Sequence, residues 1–220
     1  LADRDEAAIR ARAGWANHVV PSTVIPGKAC RLYRFDGLTV ALRDAGVLNN
    51  KHIPARYFRA STEQRLALLQ GLMDTDGYVT GRGDGEGRGS GAASCELTFT
   101  NERLATDAVA LIRTLGILPG VHESEARLNG RYISQRWRIT FQTDLPVATV
   151  PFKAARLSPL RTRRSQLRYI VDVRPVDPVP MRCITVDSPD HTYLCGDALV
   201  PTHNSMLFRG LALNTAQGIH

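Results

Sequence analysis

The sequence predicts an α+β fold followed by a small β-only segment, on three observations. Two stretches carry apolar residues at helical spacing, one through RLALLQGLMD and one through ERLATDAVALIRTLGI. Strand-like runs follow each of them, and in residues 131–142 they alternate. From residue 167 to 204 nothing repeats at the helical period; short β-branched runs are joined by proline, aspartate and glycine turns instead. With 220 residues and 43% hydrophobic content, the chain is long and apolar enough to bury a core.

In order, residues 1–37 begin with a polar, alanine-rich helical stretch and continue through VVPSTVI and ACRLYRF, two short strands. LTVALRDAGV is helical and stops near Gly46. After KHIPARYFRA, Ser61 or Thr62 caps the most hydrophobic helix of the chain. Glycine at every second position from 81 to 91 leaves too much backbone freedom for anything but a mobile loop at a hairpin tip. Then come the strand CELTFT, a helix capped at Asn101, and strands around 117–122 and 131–142. A basic connector, FKAARLSPLRTRRSQ, precedes the β segments YIVDVRPV, MRCITVDS, HTYLCGD and ALVPTHN. From Ser205 a helical spacing returns.

Lysine and arginine number 28 against 21 acidic residues, a net charge of +7, which favours a polyanionic partner over an acidic one. Cys30, Cys95, Cys183 and Cys195 are too scattered for a zinc site or a disulfide framework and fit a reducing, cytoplasmic setting. No run approaches the ~20 apolar residues that span a bilayer, so no membrane partner is expected. The chain does not begin with methionine and is read as an internal fragment.

The string LQGLMDTDG, Leu69 to Gly77, resembles the signature of LAGLIDADG homing endonucleases at Leu69, Gly71, Leu72, Asp74, Asp76 and Gly77. The resemblance implies an α-β-β-α-β-β half whose motif helix packs on a second one. Gly71 costs roughly 1 kcal/mol of helix propensity against alanine but lets two backbones approach. It implies further that Asp76 holds Mg²⁺ at the scissile phosphates of double-stranded DNA. Lys51-His-Ile-Pro followed by Tyr57 resembles the lysine block of intein endonucleases, which implies that Lys51 stabilises phosphate charge or orients water. By strand parity Arg136, Arg138 and Gln142 share one face, and with Arg131 they are the residues expected to contact DNA. Such enzymes carry two motifs, and one is present here; residues 1–50 resemble the tail of the first half.

The string CITVDSPDHTYLCGDALVPTHNS, residues 183–205, resembles the two C-terminal blocks of inteins, of the DOD type with a LAGLIDADG endonuclease. The resemblance implies the C-terminal strands of a Hint splicing domain, completed by an N-terminal segment in cis or in trans. Asn204 cyclises through its side-chain amide, His203 and His191 transfer protons or polarise the bond, and Ser205 accepts the upstream acyl chain. Cys183 where the commonest inteins have aspartate, with Thr202 before the His-Asn pair, resembles the third mechanistic class, found in phage and actinobacterial replicative helicases. There the internal cysteine attacks first, and splicing needs no cofactor. Cys195 is expected in the core, since nothing in the motif asks for it.

The tail SMLFRGLALNTAQGIH has no splicing chemistry, but joined to a preceding Gly-Lys, Ser205 would become the serine of a phosphate-binding loop in a host ATPase. The expected domains are therefore 1–60, remainder of the first endonuclease half; 61–150, second half; 151–166, basic linker; 167–204, splicing segment; and 205–220, host protein. Two rivals stay open: a freestanding LAGLIDADG endonuclease, which has no need of VPTHNS, and a DNA-binding remnant that has lost catalysis, against which Asp76 and Lys51 argue.

Overall fold

The computed structural model describes residues 19–24, 31–35, 37–80, 93–158, 167, 169–180, 184–197 and 199–203. The predicted N-terminal helix, the glycine-rich loop 81–92, Cys183, Asn204, Ser205, residues 159–166 of the connector and the host tail lie outside these. The chain divides into two units, Leu1–Ser165 and Gln166–His220.

In the first unit β1 (Val19–Val24) and β2 (Arg31–Phe35) form an antiparallel ribbon, and α1 (Leu38–Asp44) follows. The motif helix α2 (Thr62–Thr75) starts at a capping box: the Ser61 hydroxyl accepts from the Gln64 amide, and the Gln64 side chain accepts from the Ser61 amide. After β3 (Tyr78–Val79) and β4 (Cys95–Phe99), Asn101 caps α3 (Glu102–Thr114) by accepting from the Leu104 amide at 2.9 Å. The hairpin β5 (Gly120–Leu128) and β6 (Arg131–Phe141) and the single turn α4 (Pro151–Ala154) complete the unit. From α2 onward the order is α-β-β-α-β-β-α, an α+β arrangement.

The four strands form one antiparallel sheet in the order β3-β4-β6-β5. Strand alternation sends Val79, Cys95, Leu97, Phe99, Ile139 and Phe141 into the core, where Leu69 and Met73 of α2 and Ala108, Leu111 and Ile112 of α3 meet them. Full burial of each such large side chain stabilises the unit by about 1.5–3 kcal/mol. Arg65 ties the two helices together, donating to the Thr114 carbonyl at the open end of α3 at 2.7 Å.

Two expectations in this unit are corrected. The strand expected around 117–122 begins at Gly120, because Pro119 cannot donate to a ladder and Ile117 turns back into the core, but it then runs on to Leu128. The connector expected from residue 151 starts as a packed strap: Ala93 N–H donates to Ser158 Oγ, Arg156 donates to the Val79 carbonyl, and Lys153 is buried.

In the second unit β7 (Tyr193–Cys195) and β8 (Val200–Thr202) pair antiparallel, with Tyr193 opposite Thr202. YIVDVRPV, expected to be a strand, has no ladder partner among the described residues, and Ile170 and Val171 stand 87% and 94% exposed. Extended backbone becomes a strand only when a neighbour takes its N–H and C=O groups. Cys195, expected in a core, is exposed for a related reason: no second layer covers the β7–β8 ribbon among the described residues. No described helix is long and apolar enough to cross a membrane.

Candidate functional site

The two aspartates of the motif helix have different surroundings. Asp74 is a structural hub: its carboxylate accepts from the Thr149 amide at 2.8 Å, the Thr149 hydroxyl at 2.5 Å and the Val150 amide at 3.2 Å. Those donors sit at the start of α4, whose unsatisfied amides attract a carboxylate. Asp76, the C-cap of α2, is exposed, with the Thr75 hydroxyl 3.5 Å from its Oδ2. Gly77 follows because space demands it: a Cβ there would lie 2.6 Å from Met73 Cα and 2.7 Å from both the Met73 carbonyl oxygen and Sδ.

Lys153 lies beneath this helix end, 9% exposed, donating from Nζ to the carbonyls of Met73 and Asp74 at 2.8 Å each. An ammonium there satisfies carbonyls left over by the helix and meets the negative end of its dipole. Sequence reasoning missed this residue by assigning FKAARL to a linker. The available signal was the spacing of Phe152, Lys153 and Leu157 just after a proline that starts a helical turn.

Lys51 is exposed in the loop before the turn Ala55–Arg59. Its loop is anchored two residues on, where the Ile53 amide donates to Asp107 Oδ2 of α3 at 2.9 Å. Thus the fold fixes the backbone at Lys51 and leaves its side chain in solvent. A divalent cation takes six or more oxygens, and no three metal-ligating side chains converge among the described residues. Asp76 therefore suits one ligand of a shared ion, with the rest of the shell to come from other groups.

The face of the sheet away from the helices carries Tyr78, Glu96, Thr98, Arg136, Arg138, Thr140, His122 and Ser124, related by register: Glu96 opposite Thr140, Arg138 between Thr98 and His122, and Arg136 opposite Ser124. Arg136 donates to the Ser124 hydroxyl at 2.9 Å. Parity along β6 places Arg131 on the other face. The register shows a bulge at Ile133, between Ala126 opposite Ser134 and Arg127 opposite Tyr132. One extra residue resets the alternation, and Arg131, opposite Leu128, joins the face of Arg136 and Arg138. Gln142, expected on the same strand, falls just past its end and is half-buried.

In the second unit the His191 and His203 rings meet edge to face, centroids 6.2 Å apart. His191 occupies a left-handed conformation, φ 54°, uncommon for a residue with a side chain. Asp190 holds that turn: its carboxylate accepts from the Ser188 hydroxyl, from the Thr192 hydroxyl at 2.7 Å and from the Thr192 amide at 3.1 Å. These bonds, led by that from Ser188, hold the Asp190 carboxyl down to about 2. Thr202 ends β8, its hydroxyl donating to the Val200 carbonyl at 3.1 Å. Three of the residues singled out for splicing, His191, Thr202 and His203, therefore gather at one end of the β7–β8 ribbon, and Cys183, Asn204 and Ser205 lie outside the described residues.

Residues 63–144, which hold the motif helix and the four-stranded sheet, match the LAGLIDADG-like domain. The chain is also 42% identical over 173 residues to the replicative DNA helicase DnaB of Mycobacterium intracellulare, a match covering 77% of this chain and 28% of the relative. A shorter match, 55% identical over 38 residues, links it to the replicative DNA helicase DnaB of Mycobacterium leprae, covering 17% of this chain and 6% of the relative. The chain thus spans under a third of the length of either curated relative.

Proposed function

We propose that this chain is the C-terminal part of a self-splicing intein inserted in a replicative helicase and carrying the second half of a LAGLIDADG homing endonuclease. The observation that carries the splicing reading is the edge-to-face contact of His191 with His203, the residue immediately before Asn204. His203 polarises the Asn204–Ser205 peptide, and His191 passes protons across the contact. The Asn204 side-chain nitrogen attacks its own backbone carbonyl, the peptide bond to Ser205 breaks, and a succinimide and the free amine of Ser205 result.

Before that step the Cys183 thiolate attacks the carbonyl at the upstream junction, the peptide bond there breaks and releases a protonated amine, and a branched thioester forms. Ser205 Oγ then takes the acyl group, and after Asn204 cleavage the freed amine of Ser205 receives it as an amide. Thr202, opposite Tyr193, positions this end of the strand. The reading requires an N-terminal splicing segment in cis or in trans. The likeness to DnaB supports a helicase as the host, hence the cytoplasm as the place of action.

For the nuclease, Asp76 would supply one carboxylate towards a Mg²⁺ ion, which needs further oxygen ligands from other groups. A bound Mg²⁺ supplies charge stabilisation at the phosphate and acidifies water. Lys51 adds positive charge beside the phosphate, and Arg131, Arg136 and Arg138 hold double-stranded DNA, with Gln142 at the rim of their strand.

Intact-mass measurement of the purified chain at neutral pH, beside an Asn204→Ala variant, tests the splicing reading. Loss of the Ser205–His220 segment from the parent and not from the variant is the expected result. If a supplied N-terminal segment restores no cleavage to an inert parent, the reading fails.

A further inference from the structure

Among the described residues, the open sheet face that meets DNA in the reading above carries one carboxylate in a basic field. Arg131, Arg136 and Arg138 all project there, and Glu96 stands one rung beyond Arg138, half-buried, with Thr140 beside it on one strand and Tyr78 on the other. No lysine or arginine of the described residues pairs with Glu96; its Oε1 accepts only a long bond, 3.4 Å, from the Thr98 hydroxyl. Among the described residues this carboxylate thus has no basic partner to justify it on a surface facing a polyanion, where it repels every phosphate.

We propose that Glu96 selects cytosine in the DNA target. In the major groove cytosine presents an amino donor with no acceptor on its own base edge, which a carboxylate can take up. Adenine also offers an amine, but its adjacent N7 lone pair opposes the second carboxylate oxygen, and guanine and thymine present acceptors. The rung of Glu96 suits close approach: its far end is Gly120, which has no side chain.

The register also sets where that cytosine lies. Arg138 belongs to the next rung, with Thr98 and His122, two residues along the strand from Glu96 and Thr140. Two residues advance about 6.8 Å on one face, the rise of about two base pairs at ~3.4 Å each. Arg138, free of any carboxylate among the described residues, pairs best with guanine. The target therefore carries a cytosine about two base pairs from a guanine, on the side away from the Arg136 contact.

This inference rests on the DNA-binding reading, and the test separates the two. The full 220-residue chain, its Glu96→Gln variant and its Arg138→Ala variant are each used to select from a randomised duplex library, with thermal melts as a check on folding. The parent should enrich cytosine about tenfold at one position. Glu96→Gln should move that position from cytosine to adenine, since an amide matches adenine bidentately. Arg138→Ala should lose guanine about two positions away and leave the cytosine in place. A cytosine kept by the folded Glu96→Gln protein, or a parent that binds duplex without sequence preference, overturns the inference alone. A parent that binds no duplex overturns the DNA-binding reading as well.

Discussion

Lys153 and Asp74 cap one another's helices. The Lys153 ammonium donates to the Met73 and Asp74 carbonyls at the end of α2, while the Asp74 carboxylate accepts the Thr149 and Val150 amides at the start of α4. Each charge meets the end of the dipole it favours, and so the two helix ends hold together.

Lys153→Met keeps the aliphatic stem and removes the donor. Two buried carbonyls then lose a charged partner, a loss of about 1.5–3 kcal/mol. Urea unfolding should show a lower midpoint at unchanged slope, and Lys153→Arg should recover little, because a planar guanidinium does not fit a pocket cut for a point charge. An unchanged midpoint in Lys153→Met would mean that the strap contributes nothing to the fold.

Gly77→Ala should be among the most damaging single changes in the first unit. The added methyl meets Met73 backbone at 2.6 Å, which no rotamer change relieves. Overpacking of this kind costs about 1–3 kcal/mol or more, and the end of α2 that carries Asp76 must move. A thermal melt that matches the parent would contradict the packing described around Met73.

The cysteines offer a readout of the core. Burial raises the Cys95 thiol to about 12, so almost no thiolate is present at pH 8, and its side chain is inaccessible as well. Cys195 is exposed. Alkylation at pH 8 followed by peptide mapping should label Cys195 within minutes and Cys95 only on unfolding; early labelling of Cys95 would show that β4 opens readily.

The turn under His191 should be insensitive to pH across the neutral and mildly acid range. Asp190 has its carboxyl depressed from 3.8 to about 2, so the stabilisation is complete above 3.8 and is lost as pH falls through about 2. The Thr192 amide proton, which Asp190 holds, should titrate with a midpoint near 2 in NMR spectra. Asp190→Ala should broaden or shift the His191 and His203 ring signals at neutral pH; a midpoint near 3.8 would mean that the Ser188 and Thr192 bonds are not kept in solution.

Much of the first unit was legible because its signals are local. The capping box at Ser61, the Asn101 cap and the alternation of β6 each rest on residues within a turn or a strand of one another. What escaped depends on distant partners. The strap was read as a linker because its contacts reach back to Met73, Asp74 and Val79. Arg131 was expected to contact DNA, but parity could not put it with Arg136 and Arg138, because a bulge leaves no mark in one strand's sequence and becomes visible only against the register of the other. YIVDVRPV has strand composition, but composition cannot supply a neighbour.

The strap also fixes where the LAGLIDADG-like domain can be cut out. A boundary drawn at residue 150, where the sequence turns basic, would discard the lysine that seals the motif helix and the serine that holds the Ala93 amide just before β4. The smallest excisable piece reaches at least Ser158, so a version of the chain that lacks this domain should be joined beyond that residue, and the domain expressed by itself should retain it.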